Sequence, residues 1–368
     1  MSWVLVFFAF LLILQYAILF VLVKKNWKNH ANDQSGRLPM VSILIAARNE
    51  EKDIPHLLKC LSFLDYPEDR LEILLADDQS EDKTAGCISA WAEGFSNRKL
   101  ISILPEQTNL YHPNGKANAL AILAHQARGE LFFFTDADCQ VPATWLKEGV
   151  GCFQKDVGLV IGITQVRSLD FFGEMQELDW WNTLGIVKVV TDLGFSTTGL
   201  GNNMMISREA YENCGGFAGL PYSLTEDLEI SRSVKKAGYK LIHQVDPRLL
   251  VTTKAESTWG DLLRQRKRWM TGVMSLSTGW KILLGLQFLF FPLVGFLLFN
   301  SLLLGFGVWL LKILFQGLFL SEIAGKAGKN LNFGSVLIFD LYQILTLSLT
   351  ILYYFWPVQT QWKSRNYP

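Results

Sequence analysis

The chain has 368 residues with 34 basic and 34 acidic side chains, and half of its residues are hydrophobic. The balanced charge excludes a nucleic-acid binder that depends on a basic surface, and the hydrophobic content excludes a disordered tail. This length and composition suit a globular domain of roughly 250 residues with membrane segments attached.

The first predicted element is a membrane helix at residues 3–23. This stretch is apolar except for Gln15, and at about 1.5 Å per residue it is long enough to cross a hydrocarbon core of about 30 Å. Three lysines lie within the next five residues, and basic residues are enriched on the cytoplasmic side of membrane proteins. We therefore expect a transmembrane helix at 1–24, a linker at 25–39, and a cytosolic location for the domain that begins at residue 40.

Strands and helices alternate over residues 40–258. The predicted strands are 41–46, 71–76, 100–104, 131–134 and 204–207, and the predicted helices among the first four are 52–62 and 116–127. Such alternation predicts an α/β domain with a mostly parallel sheet and helices on both faces. Ligands of such sheets bind beyond the carboxyl ends of the strands.

Polar residues stand at those strand ends. Arg48 and Glu50 follow the first strand, Asp78 follows the second, and Asp136 and Asp138 follow the fourth. On an extended backbone two carboxylates one residue apart lie on the same side, so both would reach one divalent cation and its bound phosphates. The pattern predicts metal-assisted chemistry on a nucleotide, with a merely solvated strand end as the alternative.

Two further motifs stand where helices are predicted to begin. Lys116 follows Asn114-Gly115, where a cation and free backbone amides together suit a phosphate, although an ordinary solvated lysine is the alternative. Thr225, Glu226 and Asp227 precede a helical pattern at residues 228–237. A threonine cap with two acidic residues at the positive end of a helix is the structural alternative to a catalytic carboxylate.

A basic, tryptophan-containing helix is predicted at 259–281. Gln265, Arg268 and Trp269 are spaced so that a helix gathers them on one side. The same stretch also fits an amphipathic helix on an anionic membrane surface, and both interpretations stay open.

The C-terminal part of the chain is largely apolar. We expect one or two transmembrane helices at 282–320, a loop at 321–332, a further transmembrane helix at 333–356 and a tail at 357–368. The loop and the tail are both basic, so the positive-inside rule cannot place both in the cytoplasm with one span between them. Asp340 would be costly facing lipid, and we expect it to face protein or water.

Six motifs in this order resemble the family 2 glycosyltransferases, which are inverting nucleotide-sugar transferases of GT-A fold. They are V-S-I-L-I-A-A-R-N-E-E at 41–51, D-D-Q-S-E-D at 77–82, G-K-A-N-A-L at 115–120, D-A-D at 136–138, T-E-D at 225–227 and Q-R-K-R-W at 265–269. The flanking apolar segments and the Q-x-x-R-W signature point to the membrane-embedded branch. That branch includes ceramide glucosyltransferases and cellulose, hyaluronan and poly-N-acetylglucosamine synthases.

The resemblance implies a GT-A, Rossmann-like domain and assigns roles to the motif residues. It places donor binding at Ala46, Arg48, Glu50, Asp78, Lys116, Asp136, Gln265 and Arg268, with Asp77 supporting the loop of Asp78. It places Mg²⁺ or Mn²⁺ on Asp138, with Asp136 near the ribose or a metal-bound water. Oxygen ligands of this kind suit a metal that neutralises a leaving diphosphate.

The resemblance also implies the catalytic and acceptor residues. Asp227 is the implied general base, which takes a proton from an acceptor hydroxyl as it attacks the anomeric carbon. Glu226 and Trp269 are implied to contact the acceptor, and the segment 201–203 falls where family members line the sugar pocket. For the neighbouring pair Trp180-Trp181 we favour packing over an acceptor platform.

The acceptor remains the open question at this level. Cellulose-type synthases carry a gating loop with an F-x-V-T motif, and no such motif follows Trp269. Two or three C-terminal spans are also too few to build a polymer channel alone. We therefore expect transfer of one sugar, from a UDP-sugar, to a lipid-like hydroxyl at the cytoplasmic leaflet of a bacterial inner membrane. A processive polysaccharide synthase is the alternative, followed by a nucleotidyltransferase or a non-catalytic membrane scaffold. The expected partners are a nucleotide-sugar, a lipid or glycan acceptor and membrane lipids, without nucleic acid.

Overall fold

A computed structural model describes most of the chain. The described residues are 2–31, 38–195, 197–358, 360–362 and 365–367. The predicted linker at 25–39 and the predicted tail at 357–368 lie partly outside them.

The α-helices are α1 (Ser2–Lys25), α2 (Ile54–Leu61), α3 (Thr84–Ala92), α4 (Gly115–Gln126), α5 (Trp145–Gly151), α6 (Phe171–Asp192), α7 (Arg208–Asn213), α8 (Glu226–Lys236), α9 (Trp259–Met274), α10 (Thr278–Asn300), α11 (Leu302–Lys326) and α12 (Phe333–Phe355). The strands are β1 (Val41–Ala47), β2 (Leu71–Asp77), β3 (Arg98–Ser102), β4 (Leu131–Phe134), β5 (Val157–Ile161), β6 (Ile163–Arg167), β7 (Met204–Ser207), β8 (Lys240–His243), β9 (Leu250–Lys254), β10 (Thr360–Trp362) and β11 (Arg365–Tyr367).

The chain divides into two compact units. The helical unit combines Met1–Trp27, Ser168–Val189 and Ala255–Pro368, and the sheet unit combines Lys28–Arg167 and Val190–Lys254. Most of α6 therefore belongs to the helical unit, although the segments before and after it in the chain belong to the sheet unit.

The sheet unit is built on a sheet with the strand order β3-β2-β1-β4-β7-β5-β8. Among the described strands of this sheet, β7 alone runs antiparallel to its neighbours. A second, parallel pair joins β6 to β9. The predicted α/β fold with a mostly parallel sheet is confirmed.

The strand β4 shows why this sheet is covered on both faces. Phe132, Phe133 and Phe134 alternate between the faces, since successive side chains of a strand point to opposite sides. Phe133 packs edge-on against Trp145 of α5 at 5.2 Å between ring centroids, and Phe134 packs against Phe217 at 5.5 Å. A strand buried on both faces reads in the sequence as a continuous apolar run. The polar segment after this run lies at the carboxyl edge of the sheet.

The helical unit contains long helices that are largely apolar. Within the described residues, α1, α10, α11 and α12 are long and apolar enough to cross a membrane. The stretch 282–320, for which one or two spans were expected, belongs to α10 and α11. The two helices meet at Ser301, whose hydroxyl oxygen accepts a hydrogen bond from the amide of Leu304 at 3.4 Å. Pro292 lies inside α10 and does not end it.

The acidic residue of α12 lies inside the helical unit. Asp340 is 1% exposed and forms an ion pair with Lys312 of α11, which is 4% exposed. The prediction that Asp340 faces protein is confirmed. The pairing has a physical reason, because an isolated charge in apolar surroundings is unfavourable whereas a paired one is tolerated.

Candidate functional site

The acidic motif at the end of β4 lies in a turn. The strand ends at Phe134, and the amide of Cys139 donates to the carbonyl oxygen of Asp136 at 3.1 Å, which closes a turn over the motif. The expected extended backbone at Asp136 and Asp138 was therefore wrong. Thr135 anchors the start of the turn, since its hydroxyl donates to the carbonyl oxygen of Asn202 at 2.9 Å. The two carboxylates remain partly exposed at the carboxyl edge of the sheet.

Lys116 joins two of the predicted site residues. Its ammonium nitrogen lies 2.6 Å from an oxygen of Asp136 and 3.1 Å from an oxygen of Glu226. Burial alone would lower the pKa of Lys116, but the charges of Asp136 and Glu226 outweigh burial and raise that pKa above its usual range. The lysine is thus a permanent cation between two carboxylates, not an ordinary solvated side chain.

The amides at the start of α4 are already used. The side-chain oxygen of Asn114 accepts from the amide of Lys116 at 2.9 Å and from that of Ala117 at 3.3 Å. Asn114 is therefore the cap of this helix. The expectation of free backbone amides for a phosphate was therefore wrong at these two positions.

Asp227 is held at the first turn of α8. Its carboxylate accepts from the amide of Gly201 at 3.1 Å and from its neighbour Leu228 at 2.8 Å. Removal from water, together with the charge of Glu226, raises the pKa of Asp227 to about 6, and Lys116 opposes both effects. Thr225 is the cap residue of α8, but its side chain forms no capping hydrogen bond with the described residues. The plain alternative of a threonine-capped helix is therefore weakened here.

Two glycines allow the segment before β7 to approach this carboxylate. A Cβ on Gly199 would lie 2.6 Å from the carbonyl oxygen of Asp227, and a Cβ on Gly201 would lie 3.2 Å from the ammonium nitrogen of Lys116. Asn203, two residues after Gly201, is fully buried. Its side-chain amide nitrogen donates to the carbonyl oxygens of Ile163 and Leu249. The sequence analysis did not mention Gly199 and named Asn114 without its role as a helix cap. Their signals are the glycine pair in T-T-G-L-G-N-N and an asparagine directly before a helix.

The ends of β1 and β2 form the predicted nucleotide side of the site. Ala47 pairs with Asp77, and the amide of Asp78 donates to the carbonyl oxygen of Ala47 at 2.9 Å. The guanidinium of Arg48 donates to the carbonyl oxygen of Asp78 at 2.5 Å. The Oδ1 atom of Asp77 is buried and has no hydrogen-bond partner among the described residues. A buried acceptor of this kind suits a polar ligand, because burial without a partner is unfavourable.

The two other donor residues predicted on this side lie beside the strand end. Ala46 belongs to β1 and pairs with Ala76, and it is partly buried. Glu50 is buried at 7% exposure, and its backbone amide donates to the hydroxyl of Thr84 at 2.7 Å. Both residues therefore lie at the carboxyl edge of the sheet.

The Q-x-x-R-W residues belong to α9 in the helical unit. The side-chain amide of Gln265 donates to Glu256 at 2.8 Å, and Arg268 is partly buried. The ring of Trp269 packs edge-on against Trp180 at 5.6 Å and lies under the guanidinium of Arg266 at 4.6 Å. The expected packing role of Trp180 fits this contact.

The acidic residues at the end of β4 fit a metal ion whose remaining ligands come from a bound substrate. Among the described residues no group of three His, Cys, Asp or Glu side chains is arranged to hold a metal ion. Asp136 and Asp138 supply two carboxylates. Mg²⁺ is commonly held by one or two carboxylates together with substrate phosphates and water, so this donor set fits an ion bound along with a diphosphate.

Known proteins similar to this chain are glycosyltransferases by name. The chain is 30% identical over 255 residues to a beta-monoglucosyldiacylglycerol synthase of Trichormus variabilis, over 67% of this chain and 51% of that protein. It is 27% identical over 236 residues to a poly-beta-1,6-N-acetyl-D-glucosamine synthase of Staphylococcus epidermidis, over 63% of this chain and 54% of that protein. The chain thus spans about half the length of these curated relatives.

A solved structure supports the fold. A mannosyltransferase of Pyrobaculum calidifontis, solved in complex with GDP-Man and Mn²⁺, superposes with a TM-score of 0.61 at 18% identity, over 96% of this chain and 99% of that one. The predicted GT-A fold is confirmed by this likeness.

The sequence model of Glycosyl transferase family 21 matches residues 5–367. The motifs pointed to family 2, and that assignment stays a prediction. The resemblance to glycosyltransferases is confirmed. The chain belongs to glycosyl transferase family 21.

Proposed function

We propose that this protein is a membrane-bound, inverting glycosyltransferase that moves one sugar from a UDP-sugar to a hydroxyl group of a lipid-like acceptor. The observation that carries the proposal is the carboxylate of Asp227. Two backbone amides hold it in place, its pKa is raised to about 6, and it neighbours the Lys116 cation. A carboxylate with a pKa close to the working pH is suited to general-base catalysis.

The reaction is a single displacement at the anomeric carbon. The acceptor hydroxyl gives its proton to Asp227 while its oxygen attacks the anomeric carbon. The bond from that carbon to the diphosphate oxygen breaks, and the nucleoside diphosphate leaves with the bonding electron pair. Attack from the side opposite the leaving group inverts the configuration. The amides of Gly201 and Leu228 orient the carboxylate for this proton transfer.

Donor binding combines a cation and a polar strand edge. We assign attraction of the diphosphate to Lys116, and Asp136 with Asp138 would hold Mg²⁺ or Mn²⁺. When bound, the metal neutralises charge on the leaving diphosphate. We assign the remaining donor contacts to Ala46, Arg48, Glu50, Asp78, Gln265 and Arg268. The mannosyltransferase of Pyrobaculum calidifontis was solved with GDP-Man and Mn²⁺, which supports a nucleotide-sugar donor and a divalent metal.

We assign the acceptor side to Glu226 and Trp269 and prefer a lipid-like acceptor. The name of the Trichormus variabilis relative, a monoglucosyldiacylglycerol synthase, supports a lipid. The Staphylococcus epidermidis relative is named as a polysaccharide synthase, which favours processive synthesis as the second candidate. The four apolar helices and the lysines at the end of α1 support a bacterial inner-membrane location with a cytoplasmic site.

A transfer assay tests the proposal. Detergent-purified protein is incubated with a panel of radiolabelled UDP-sugars, Mg²⁺ or Mn²⁺ and a total lipid extract, and the labelled product is then extracted into organic solvent and sized. Label in a small organic-soluble species supports single transfer and names the donor sugar. Label in a large water-soluble product overturns the lipid acceptor in favour of processive synthesis. The Asp227→Asn variant serves as the blank.

A further inference from the structure

The last apolar helix, α12, crosses α11 and does not run along it. A Cβ on Gly317 of α11 would lie 2.9 Å from the side chain of Val336. Seven residues further along α12, the side-chain oxygen of Gln343 lies 3.2 Å from the ammonium of Lys312 and 3.2 Å from the amide nitrogen of Gln316. Lengthwise packing would carry the contact about seven residues away from Gly317, since both helices rise about 1.5 Å per residue. Gln343 instead reaches back to Gln316, so the two helices cross.

The helices α1, α10 and α11 pack lengthwise. Their buried apolar side chains form one cluster, and within α1 and α10 its members recur every three or four residues, which is the spacing of one helix face. The ammonium of Lys312 in α11 lies 5.1 Å from the ring centroid of Phe291 in α10, and Ser301 lies about midway between them in the chain. The helices α10 and α11 therefore form a hairpin, and α10 begins at the face where α11 ends. The cluster consists of Val6, Ala9, Ile13, Phe290, Val294, Leu297 and Val308.

The helices α1 and α11 end side by side. The ammonium of Lys24 lies 3.5 Å from the carboxylate of Glu322, and that of Lys326 lies 5.3 Å from the ring centroid of Trp27. The first residue of α12, Phe333, follows Lys326 so closely that the link reaches at most about 25 Å. A hydrocarbon core is about 30 Å thick, so α12 begins near the face at which α1 and α11 end.

The far end of α12 is bound to α9. Lys267 of α9 is 8% exposed, and its ammonium donates to the carbonyl oxygens of Trp356 at 2.8 Å and of Val358 at 2.7 Å. The same ammonium lies 5.5 Å from the ring centroid of Tyr353. Hydrogen bonds from a charged donor are stronger than neutral ones, so the chain that leaves α12 is held on α9.

The position of α9 in the chain fixes its face. The sheet unit begins at Lys28, directly after α1, and ends at Lys254, shortly before α9. Because a folded α/β unit does not lie within a bilayer, the end of α1 and the start of α9 belong to the same face. The end of α9 at Met274 is soon followed by the start of α10 at Thr278, which lies at this face as well. Both ends of α12 are therefore at the face where α1 ends.

We propose that α1, α10 and α11 cross the membrane, whereas α12 lies in the membrane plane at the face from which the sheet unit continues. This placement replaces the transmembrane helix expected at 333–356. One side of α12 packs on protein, since Phe339 is 1% exposed and Tyr342 is 7% exposed. The partner of its other side is the lipid of one leaflet, as for interfacial helices. The exposed side chains on that side are apolar and recur at helical spacing, and they are Leu337, Ile338, Leu341, Leu345 and Leu352.

The charges of the flanking segments agree with this placement. The loop before α12 carries Lys326 and Lys329, and the tail after it carries Lys363 and Arg365. A span between them would leave one of these basic segments on the outer face, against the positive-inside rule. An in-plane α12 leaves both on the face that also receives the lysines after the apolar run of α1. The placement requires neither Asp227 nor a sugar donor.

Cysteine labelling in bacterial spheroplasts tests the placement. Asn300→Cys, Asn330→Cys and Val358→Cys each add one thiol to the full chain, at exposed positions at the end of α10, before α12 and after α12. Spheroplasts are treated with a membrane-impermeant maleimide, and labelled peptides are quantified by mass spectrometry. The native thiols of Cys60 and Cys87 are partly exposed and mark the face of the sheet unit. We expect strong label on Asn300→Cys, and loss of label on Asn330→Cys and Val358→Cys to the level of the native thiols.

Permeabilised spheroplasts supply the control, because all three introduced thiols should then be labelled. Phe355→Cys, at the exposed end of α12, repeats the measurement if Val358→Cys is poorly produced. If Val358→Cys labels as strongly as Asn300→Cys in intact spheroplasts while Asn330→Cys is shielded, α12 spans the membrane and the proposal is overturned. Shielding of all three thiols overturns it too, because α10 and α11 would then not cross. No sugar donor enters the experiment, so its outcome is separate from that of the transfer assay.

Discussion

The chemistry proposed for Asp227 depends on three neighbouring influences. Burial and the charge of Glu226 raise its pKa, and the Lys116 cation lowers it, which leaves a value of about 6. An ordinary aspartate titrates near 3.9, so this carboxylate is both more basic and still mostly ionised at neutral pH. In the proposed reaction Lys116 would therefore influence both the carboxylate of Asp227, whose pKa it lowers, and the donor diphosphate.

Replacing the base separates binding from turnover. Asp227→Asn keeps the shape of the side chain but cannot accept the proton, so we expect turnover to fall by at least about 100-fold while UDP-sugar binding is retained. Calorimetric titration with the donor and a radiolabel transfer assay measure the two quantities. Near-normal turnover in this variant would show that another group is the base.

The pH dependence of the rate reports on the Lys116 cation. Because the base works in its ionised form, kcat/KM should fall as the pH drops through about 6. Lys116→Met removes the charge that lowers the pKa of Asp227, so the acidic limb should move to higher pH, whereas Lys116→Arg should leave it near its original position. The pH of the acidic limb is compared between variants, and not the absolute rate, because Lys116 is also proposed to bind the donor. An unmoved limb in Lys116→Met would contradict the coupling.

The metal assignment is tested at Asp138. Asp138→Ala removes one of the two carboxylates that fit an ion shared with a diphosphate, so metal-dependent donor binding should be lost. Donor binding is titrated with Mg²⁺, with Mn²⁺ and with excess chelator. The matched variant Asp156→Ala, at an exposed turn before β5, should bind donor normally. Equal metal dependence in both variants would refute the assignment.

At the scale of elements, the segment before β7 must pass close to the start of α8. A Cβ on Gly199 would lie 2.6 Å from the carbonyl oxygen of Asp227, which belongs to the backbone and cannot rotate away. Gly199→Ala should therefore displace the start of α8 and reduce kcat more than tenfold. Gly86→Ala is the control, since no described atom lies within 4 Å of a Cβ there and alanine favours the helix α3. Equal activity of the two variants would contradict this packing.

The elements could be predicted well where a segment is uniformly apolar. The strands β4 and β7 have the same bounds in the structure as in the sequence prediction, because buried strands leave continuous apolar runs bounded by polar residues. For the stretch 282–320 the sequence left open whether it forms one helix or two. Pro292 stays inside α10, and Ser301 ends the helix with an extended backbone at φ −158°. Proline is tolerated within apolar helices, whereas a serine can cap the next one.

The site could be predicted only as a set of residues. Spacing placed Asp136 at the end of a strand and Lys116, Glu226 and Asp227 at helix starts, and the family resemblance assigned them to one site. Spacing does not show which hydrogen bonds a turn adopts. Two such patterns are the hydrogen bond from the Cys139 amide to Asp136 and the bonds from two α4 amides to Asn114. Other local conformations are similar in energy, so only the structure shows which one is adopted.

At the scale of the whole molecule, the buried charges of Lys312 and Asp340 in the helical unit depend on each other, so that removing one alone is unfavourable. Lys312→Met leaves Asp340 buried without its cation, a change that typically costs about 3–5 kcal/mol. The double variant Lys312→Met/Asp340→Asn removes both charges and should recover most of that loss. Apparent Tm values in detergent compare the two. A double variant less stable than Lys312→Met would contradict this account.

The division of the chain also affects its synthesis. The helix α6 packs on α11, where the side-chain amide of Gln316 donates to Asn182 at 3.3 Å and Gly185 lies close to Phe319. A ribosome adds roughly 5–20 residues per second, so α11 emerges after α6 by on the order of ten seconds. During that interval the nascent chain carries an uncovered helix surface. The yield of folded protein therefore depends on what shields this surface while the chain is being made.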